Sequence, residues 1–334
     1  MKKFDFVIGN PPYQDERQGD SNTALPIYHK FMDAAFEVGN AVEMITPARY
    51  LFNAGRTPKD WNKKMLNDIH FKVQYYVKDG KIVFPTTDIK GGVAITYRDK
   101  SRIYEPIQVF TVYPELNGIL DKIVPNLSNG SLSTMAFVAT KFNTDNLFKD
   151  FPKYRGHERR MSSNVLSFDC FHSSKKSNRI EVFGVINNKR TSRFIDEKYV
   201  DISDESIQKY KVIIPKADGE GNFGDIITNP VILKPKTGFT HTFLGIGGVD
   251  TEYEANSIVK YMKTQFTRCL LSIYKVTQDM NDEKWALVPL QDFSRSSDID
   301  WSQSVVEIDQ QLYKKYDFSN EEIEFIETHV QEMK

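Results

Sequence analysis

The sequence predicts an α/β protein: a partly parallel sheet with helices comes first, then a β-rich mixed α+β part closed by C-terminal helices. Three observations carry that expectation. An apolar run at Phe4 to Ile8 opens an alternation of strand-like and helix-like periods that continues to Asp99. Around Pro125 to Ser133 the composition turns to Asn, Ser and Gly. Beyond it, short β-rich runs broken by Gly and Pro give way to two apolar-striped helices at the end.

Taken in order, Phe4 to Ile8 reads as a buried strand stopped by Gly9 and two prolines. Leu25 to Val38 reads as a helix with Pro26 in its first turn, Gly39 past its end, and Ile27, Phe31, Ala34, Ala35 and Val38 as the apolar stripe. Ala41 to Thr46 is the next strand, the region Trp61 to Asn67 a second helix, and Phe71 to Val77 another strand. Asp79 to Asp99 alternates well enough for a paired strand, with Gly91-Gly92 at a bend or bulge. In the second part, Ile180 to Ile186, Tyr210 to Pro215, Ile226 to Leu233 and Phe239 to Ile246 read as strands. One long helix runs from Glu252 to about Ser272, and two more cover Ser304 to Tyr316 and Asn320 to Met333. The predicted division is 1–125, 126–290 and 291–334.

The chain has 334 residues, 40% of them hydrophobic, and a formal net charge of −1. Two cysteines without a Cys-x-x-Cys partner argue against a structural zinc site or a disulfide framework and fit a reducing cytoplasm. The six histidines show no metal-ligand spacing, so no metal is expected, and no apolar run is long enough for a membrane span. The neutral total hides an asymmetry. Between Lys153 and Arg193 ten Lys/Arg face three acids, a net +7, while Asp279 to the end carries −9. Such a basic middle can neutralise backbone phosphates, and equally it can be a solvated loop region. Lys175, Lys176, Arg179, Lys189, Arg190 and Arg193 are the candidate DNA contacts. Asp196-Glu197-Lys198 would satisfy part of a nuclease signature, but such triplets are common by chance.

The segment with chemistry is Asn10-Pro11-Pro12-Tyr13 at the end of the first strand. The exocyclic amine of adenine is a poor nucleophile because its lone pair is delocalised into the ring. Two acceptors placed on its two N–H hydrogens favour a tetrahedral nitrogen and localise that pair. Asn10 can supply a side-chain carbonyl and Pro11 a backbone carbonyl, with Pro12 helping to hold the turn rigid. The carboxyl end of a strand is where open α/β sheets bind ligands. Tyr13 offers a ring to stack on a base taken out of its duplex.

Phe4-Asp5-Phe6-Val7-Ile8-Gly9-Asn10-Pro11-Pro12-Tyr13 resembles the catalytic motif of adenine-specific (N6) DNA methyltransferases of type II and type IIG restriction-modification systems. The resemblance implies that the first part is the C-terminal half of a Rossmann-like methyltransferase sheet. It implies S-adenosyl-L-methionine as methyl donor and double-stranded DNA as partner. In that family an aromatic residue from a bent hairpin stacks on the flipped adenine opposite the loop's Tyr. Val83-Phe84-Pro85 stands where that element is expected, which makes Phe84 the second stacking ring; a β-hairpin core residue is the other reading. Tyr210 to Lys216, Lys263 to Arg268, Trp285 to Phe293 and Ile308 to Tyr313 are similar to the family's target-recognition region, so 126–290 is expected to be a target-recognition domain.

The departure from the family is at the front, where only nine residues precede Asn10. The glycine-rich turn that holds the donor in the family has no counterpart there. Phe243 to Gly248 offers glycines after a strand, but a β-turn before the long helix accounts for them. The resemblance therefore leads us to expect a split subunit or a truncated product that needs a donor-binding polypeptide or N-terminal segment. The first strand would then stand at a sheet edge, and the chain alone would bind the donor weakly. Two alternatives stay open: a DNA specificity module without catalysis, and a methyltransferase acting on protein glutamine.

Overall fold

The computed structural model describes residues 4–15, 24–87, 89–113 and 115–333; Asp88 of the expected hairpin lies outside them. Among the described residues the chain is mixed α/β with three four-stranded sheets. It divides into two compact units, Met1–Pro114 and Glu115–Lys334.

The first unit contains β1 (Phe4–Gly9), α1 (Tyr28–Val38), β2 (Gly39–Pro47), α2 (Lys59–Leu66), β3 (Phe71–Val77) and β4 (Val93–Asp99), and its sheet order is β1-β2-β4-β3. β1 pairs parallel with β2, and β4 runs antiparallel to both β2 and β3. β1, β2 and β3 therefore point the same way. β1 is an edge strand, and its alternate side chains Phe4, Phe6 and Ile8 are exposed, Phe6 at 73% and Ile8 at 80%.

Phe4 to Ile8 is thus a strand but not the buried one expected, because it stands at the sheet edge, and two further expectations are corrected in this unit. The first helix begins at Tyr28, not Leu25, because residues 25–27 pair instead with the loop after β1. Asp15 N donates to Leu25 O at 2.9 Å, Ile27 N donates to Tyr13 O at 3.2 Å, and Gln14 bridges Pro26. The face of α1 that is buried carries Tyr28, His29, Met32, Ala35 and Phe36, while Phe31 is exposed. Two overlapping stripes fit the 3.6-residue period, and tertiary packing selected the other one. The second correction concerns Asp79 to Asp99, of which only Val93–Asp99 is strand. Asp79 caps a short 3-10 turn at Gly80–Ile82, and Gly91 and Gly92 adopt φ of 84° and 81°. At Gly92 a Cβ would lie 2.3 Å from Val77 O, so β3 and β4 can close together only over glycine.

The second unit starts with α3 (Glu115–Ile123), β5 (Ala136–Val138), α4 (Thr144–Asp150), β6 (Phe171–His172), β7 (Arg179–Ile186) and β8 (Lys189–Asp196). It continues through β9 (Tyr210–Pro215), β10 (Val231–Leu233), β11 (Thr237–Phe239), β12 (Phe243–Val249), α5 (Glu252–Lys263), α6 (Gln265–Tyr274), α7 (Val305–Lys315) and α8 (Asn320–His329). Its sheets are β10-β9-β12-β5 and β11-β7-β8-β6. One core gathers Ile213, Leu233, Phe239 and Phe243 with Phe183 and Val185, and a second surrounds Ile180, Val182 and Ile195.

The boundary falls at 114/115, ahead of the Asn/Ser/Gly stretch, because α3 packs on α8. Lys122 pairs with Glu322 at 2.6 Å, and Gly118 lets Glu322 approach. For the same reason α7 and α8 belong to this unit and not to a separate tail. The run Phe239 to Ile246 is two strands in two sheets, divided by a turn in which Phe243 N donates to Thr240 O. Ile226 to Leu233 is strand only from Val231. The single long helix is two, because Thr264 takes an extended ψ of 148° and its hydroxyl accepts from Thr267 N. Asp309 of α7 adds to that start, accepting from Gln265 N and Phe266 N at 2.9 and 2.8 Å.

Candidate functional site

The strand directions bring four chain segments to one edge of the first sheet. Gly9 lies opposite Met44, Pro47 opposite Val93, and Val77 opposite Val93. The segments after β1, β2 and β3 and the glycine pair before β4 therefore sit at the same end. Asn10 is exposed there, Pro11 half-buried and Pro12 exposed. Tyr13 is tied through its backbone carbonyl to the start of α1. Phe84 is anchored by its own N–H, which donates to Gly80 O at 2.8 Å. It is half-buried in the connection between β3 and β4.

Tyr13 and Phe84, 71 positions apart in sequence, are in contact. Their ring centroids are 6.1 Å apart and the planes meet at 82°, edge to face. A base held between two rings needs parallel planes roughly 7 Å apart, a contact distance of about 3.5 Å on each side. The rings are thus together but closed on one another. The Tyr13 hydroxyl is enclosed with no hydrogen-bond partner among the described residues, and burial raises it to about 12.

Residues 1–84 match the Eco57I restriction-modification methylase family. The matched segment includes β1 and ends on Phe84. Over 96 residues the chain is 33% identical to an uncharacterized adenine-specific methylase of Mycoplasma pneumoniae, a match spanning 28% of this chain and 23% of that protein. The chain therefore spans about a quarter of the length of that curated relative. Over 97% of its length it is similar, at 11% identity and a TM-score of 0.42, to 56% of the type IIL restriction-modification enzyme MmeI, solved in complex with DNA.

Within the matched segment one further charged residue stands at this end of the sheet. Arg49 follows β2 at the same end of the sheet; its stem lies under Gly55 and Gly91, and its Nε is buried without a partner among the described residues. Its only signal in sequence is its place just after a strand. The glycines of this edge do not make a donor cradle, since Arg49 and Val77 O occupy the space beside Gly91 and Gly92. Nor do those at 245–248. Gly245 lies under Phe137 and Phe239 inside the sheet, and Gly247 and Gly248 form the irregular end of β12. Among the described residues these glycines thus do not fit S-adenosyl-L-methionine.

The basic candidates are dispersed by the fold. The region from Lys189 to Arg193 is a strand of a hairpin, with Asn187 and Asn188 both at positive φ in the turn. Alternation along β8 sends Lys189 and Arg193, opposite Ile186 and Val182, to one face. Arg190, opposite Val185, goes to the other, 5.9 Å from the Phe243 ring. Arg179 is committed to Asp196 at 2.9 Å and to Ser174 O. Lys175 and Lys176 are exposed ahead of β7. Asp196 and Lys198 of the nuclease-like triplet are in structural ion pairs with Arg179 and Asp150. Among the described residues no cluster of His, Cys, Asp and Glu could hold a metal, both cysteines are buried, and no helix is long and apolar enough to cross a membrane.

Proposed function

We propose that this chain is the base-gripping part of a DNA adenine N6-methyltransferase of a restriction-modification system. The observation that carries the reading is the Asn10-Pro11 segment at the carboxyl end of β1, with Asn10 exposed and Pro11 half-buried, beside the Tyr13–Phe84 pair and within the segment that matches the methylase family. In this reading the sheet β1-β2-β4-β3 is the C-terminal half of a Rossmann-like sheet. The Asn10 side-chain carbonyl and the Pro11 backbone carbonyl accept the two N–H hydrogens of adenine N6 and leave its lone pair directed outward. One ring of the Tyr13–Phe84 pair swings away to admit the flipped base, which then stacks between them.

S-adenosyl-L-methionine supplies the methyl group when bound, held by a donor-binding polypeptide or segment that docks along β1. An apolar edge strand suits such docking, because its backbone is open to a further strand and its side chains lack cover. Double-stranded DNA is the substrate, and the second unit is the target-recognition part.

The test supplies the donor-binding segment and follows label from methyl-labelled donor into duplex DNA, with wild type and Asn10→Ala. Loss of one preorganised acceptor should lower the rate by roughly 10²–10³. Label in protein glutamine but not DNA, or an unchanged rate in Asn10→Ala, overturns the reading.

A further inference from the structure

We propose that Arg160, Lys216 and His241 form a clamp for one backbone phosphate of duplex DNA, distinct from the basic strand β8. The proposal rests on the DNA-directed reading above and extends it to where the duplex is held.

The three side chains come from three separate stretches of the second unit, and backbone hydrogen bonds join those stretches. His241 N donates to Met161 O at 2.9 Å, and Lys216 N donates to Thr242 O at 2.9 Å. Residues 160–161, the end of β9 and the turn between β11 and β12 are therefore neighbours. Neighbouring arginines have different surroundings. Arg159 is engaged with Asp201 at 2.6 Å, whereas Arg160 Nε is enclosed with no partner among the described residues. A buried N–H without an acceptor is costly, and such a group marks a place where a missing acceptor belongs.

The surrounding charges agree. Burial holds the Lys216 ammonium below its usual range; Asp282 and Asp279 oppose that shift and Arg160 adds to it. Partial loss of water also lowers His241, exposed though it is, with Lys216 and Arg160 adding and Glu158 opposing. The three nearby acids thus fail to offset the loss of water and the crowding of like charge. A phosphodiester brings one negative charge on two free oxygens, which an arginine fork and an ammonium can share while the exposed imidazole stands beside them. A DNA phosphate is favoured over a free anion because the clamp lies in the second unit, the part proposed above to meet the duplex.

The test is a fluorescence-anisotropy titration of a labelled duplex by the full chain over a range of salt concentrations. Each phosphate contact contributes roughly 0.9 to the slope of log K against log salt, so the slope of Arg160→Gln/Lys216→Gln should fall by about 1. Its affinity should fall several-fold, equally for unrelated duplexes, and Arg160→Lys should retain the slope. Should the double variant melt early by circular dichroism, His241→Glu places a negative charge at the same site from an exposed position and should lower the affinity in the same way. Unchanged slope and affinity in both variants overturn the clamp and leave the methyltransferase reading standing. A wild-type chain that binds no duplex overturns both. Inorganic phosphate that binds the wild type at these residues and leaves duplex binding unchanged overturns the clamp in favour of a free-anion site.

Discussion

Lys211 offers a direct test of how the second unit is held together. It lies in β9 between β10 and β12, its side chain is 0% exposed, and its ammonium donates to Lys209 O at 3.0 Å. Burial lowers its pKa to about 8, with Asp204 opposing. In the unfolded chain a lysine titrates near 10.4. Between those values the unfolded chain holds the proton and the folded chain does not, so stability rises with pH across that window and is flat on either side. The interval of about 2.4 units is worth about 3 kcal/mol at 1.36 kcal/mol per unit. Other lysines and tyrosines titrate in the same range, so the measurement must be a difference. Lys211→Met keeps the stem and removes the charge. Urea unfolding should find it more stable than wild type by about 3 kcal/mol at pH 7.5, with the gap closing by pH 10.5. Wild type and variant running parallel in pH would show that the ammonium reaches water, and the reasoning would fail.

Further outcomes follow from other sites. Thr264→Ala removes the hydroxyl that starts α6; it should cost about 1 kcal/mol in urea unfolding, and no change would mean Asp309 alone caps the helix. Gly92→Ala places a Cβ against Val77 O at positive φ, so it should destabilise the first unit by about 1–3 kcal/mol or more, and a wild-type melting temperature would contradict the turn geometry. Phe6→Lys with Ile8→Lys alters a solvent-exposed face. Stability should change by no more than about 0.5 kcal/mol per site. Self-association in light scattering should decrease, and stimulation by a donor-binding segment should be lost; full stimulation would refute docking along β1. Phe84→Ala should weaken binding to DNA carrying an unpaired target adenine by about 1–3 kcal/mol, with Phe84→Trp close to wild type, and equal binding by all three would remove Phe84 from base contact.

Much of the first unit was legible in the sequence because its signals are local. The run Phe4 to Ile8 stopped by Gly9 and two prolines is a strand in any context, and Phe71 to Val77 was read with the bounds it has. Asn10 to Tyr13 was likewise conspicuous by residue type and place. Other features depended on partners distant in sequence. Whether α1 buries Phe31 or Phe36 is degenerate in its own periodicity, and the sheet beneath it decided. Thr264 breaks a helix whose apolar pattern runs on, because its own hydroxyl and Asp309, 45 positions later, cap the new start. Lys189, Arg190 and Arg193 look like one basic patch in sequence. Strand alternation divides them between two faces, and backbone pairing gathers Arg160, Lys216 and His241 instead. The sequence by itself determined that an Asn-Pro-Pro-Tyr segment follows directly on a strand, because the chain encodes both within ten residues. Only the tertiary structure decided which ring meets Tyr13 and which cations meet each other, because those neighbours are set by strand direction and register.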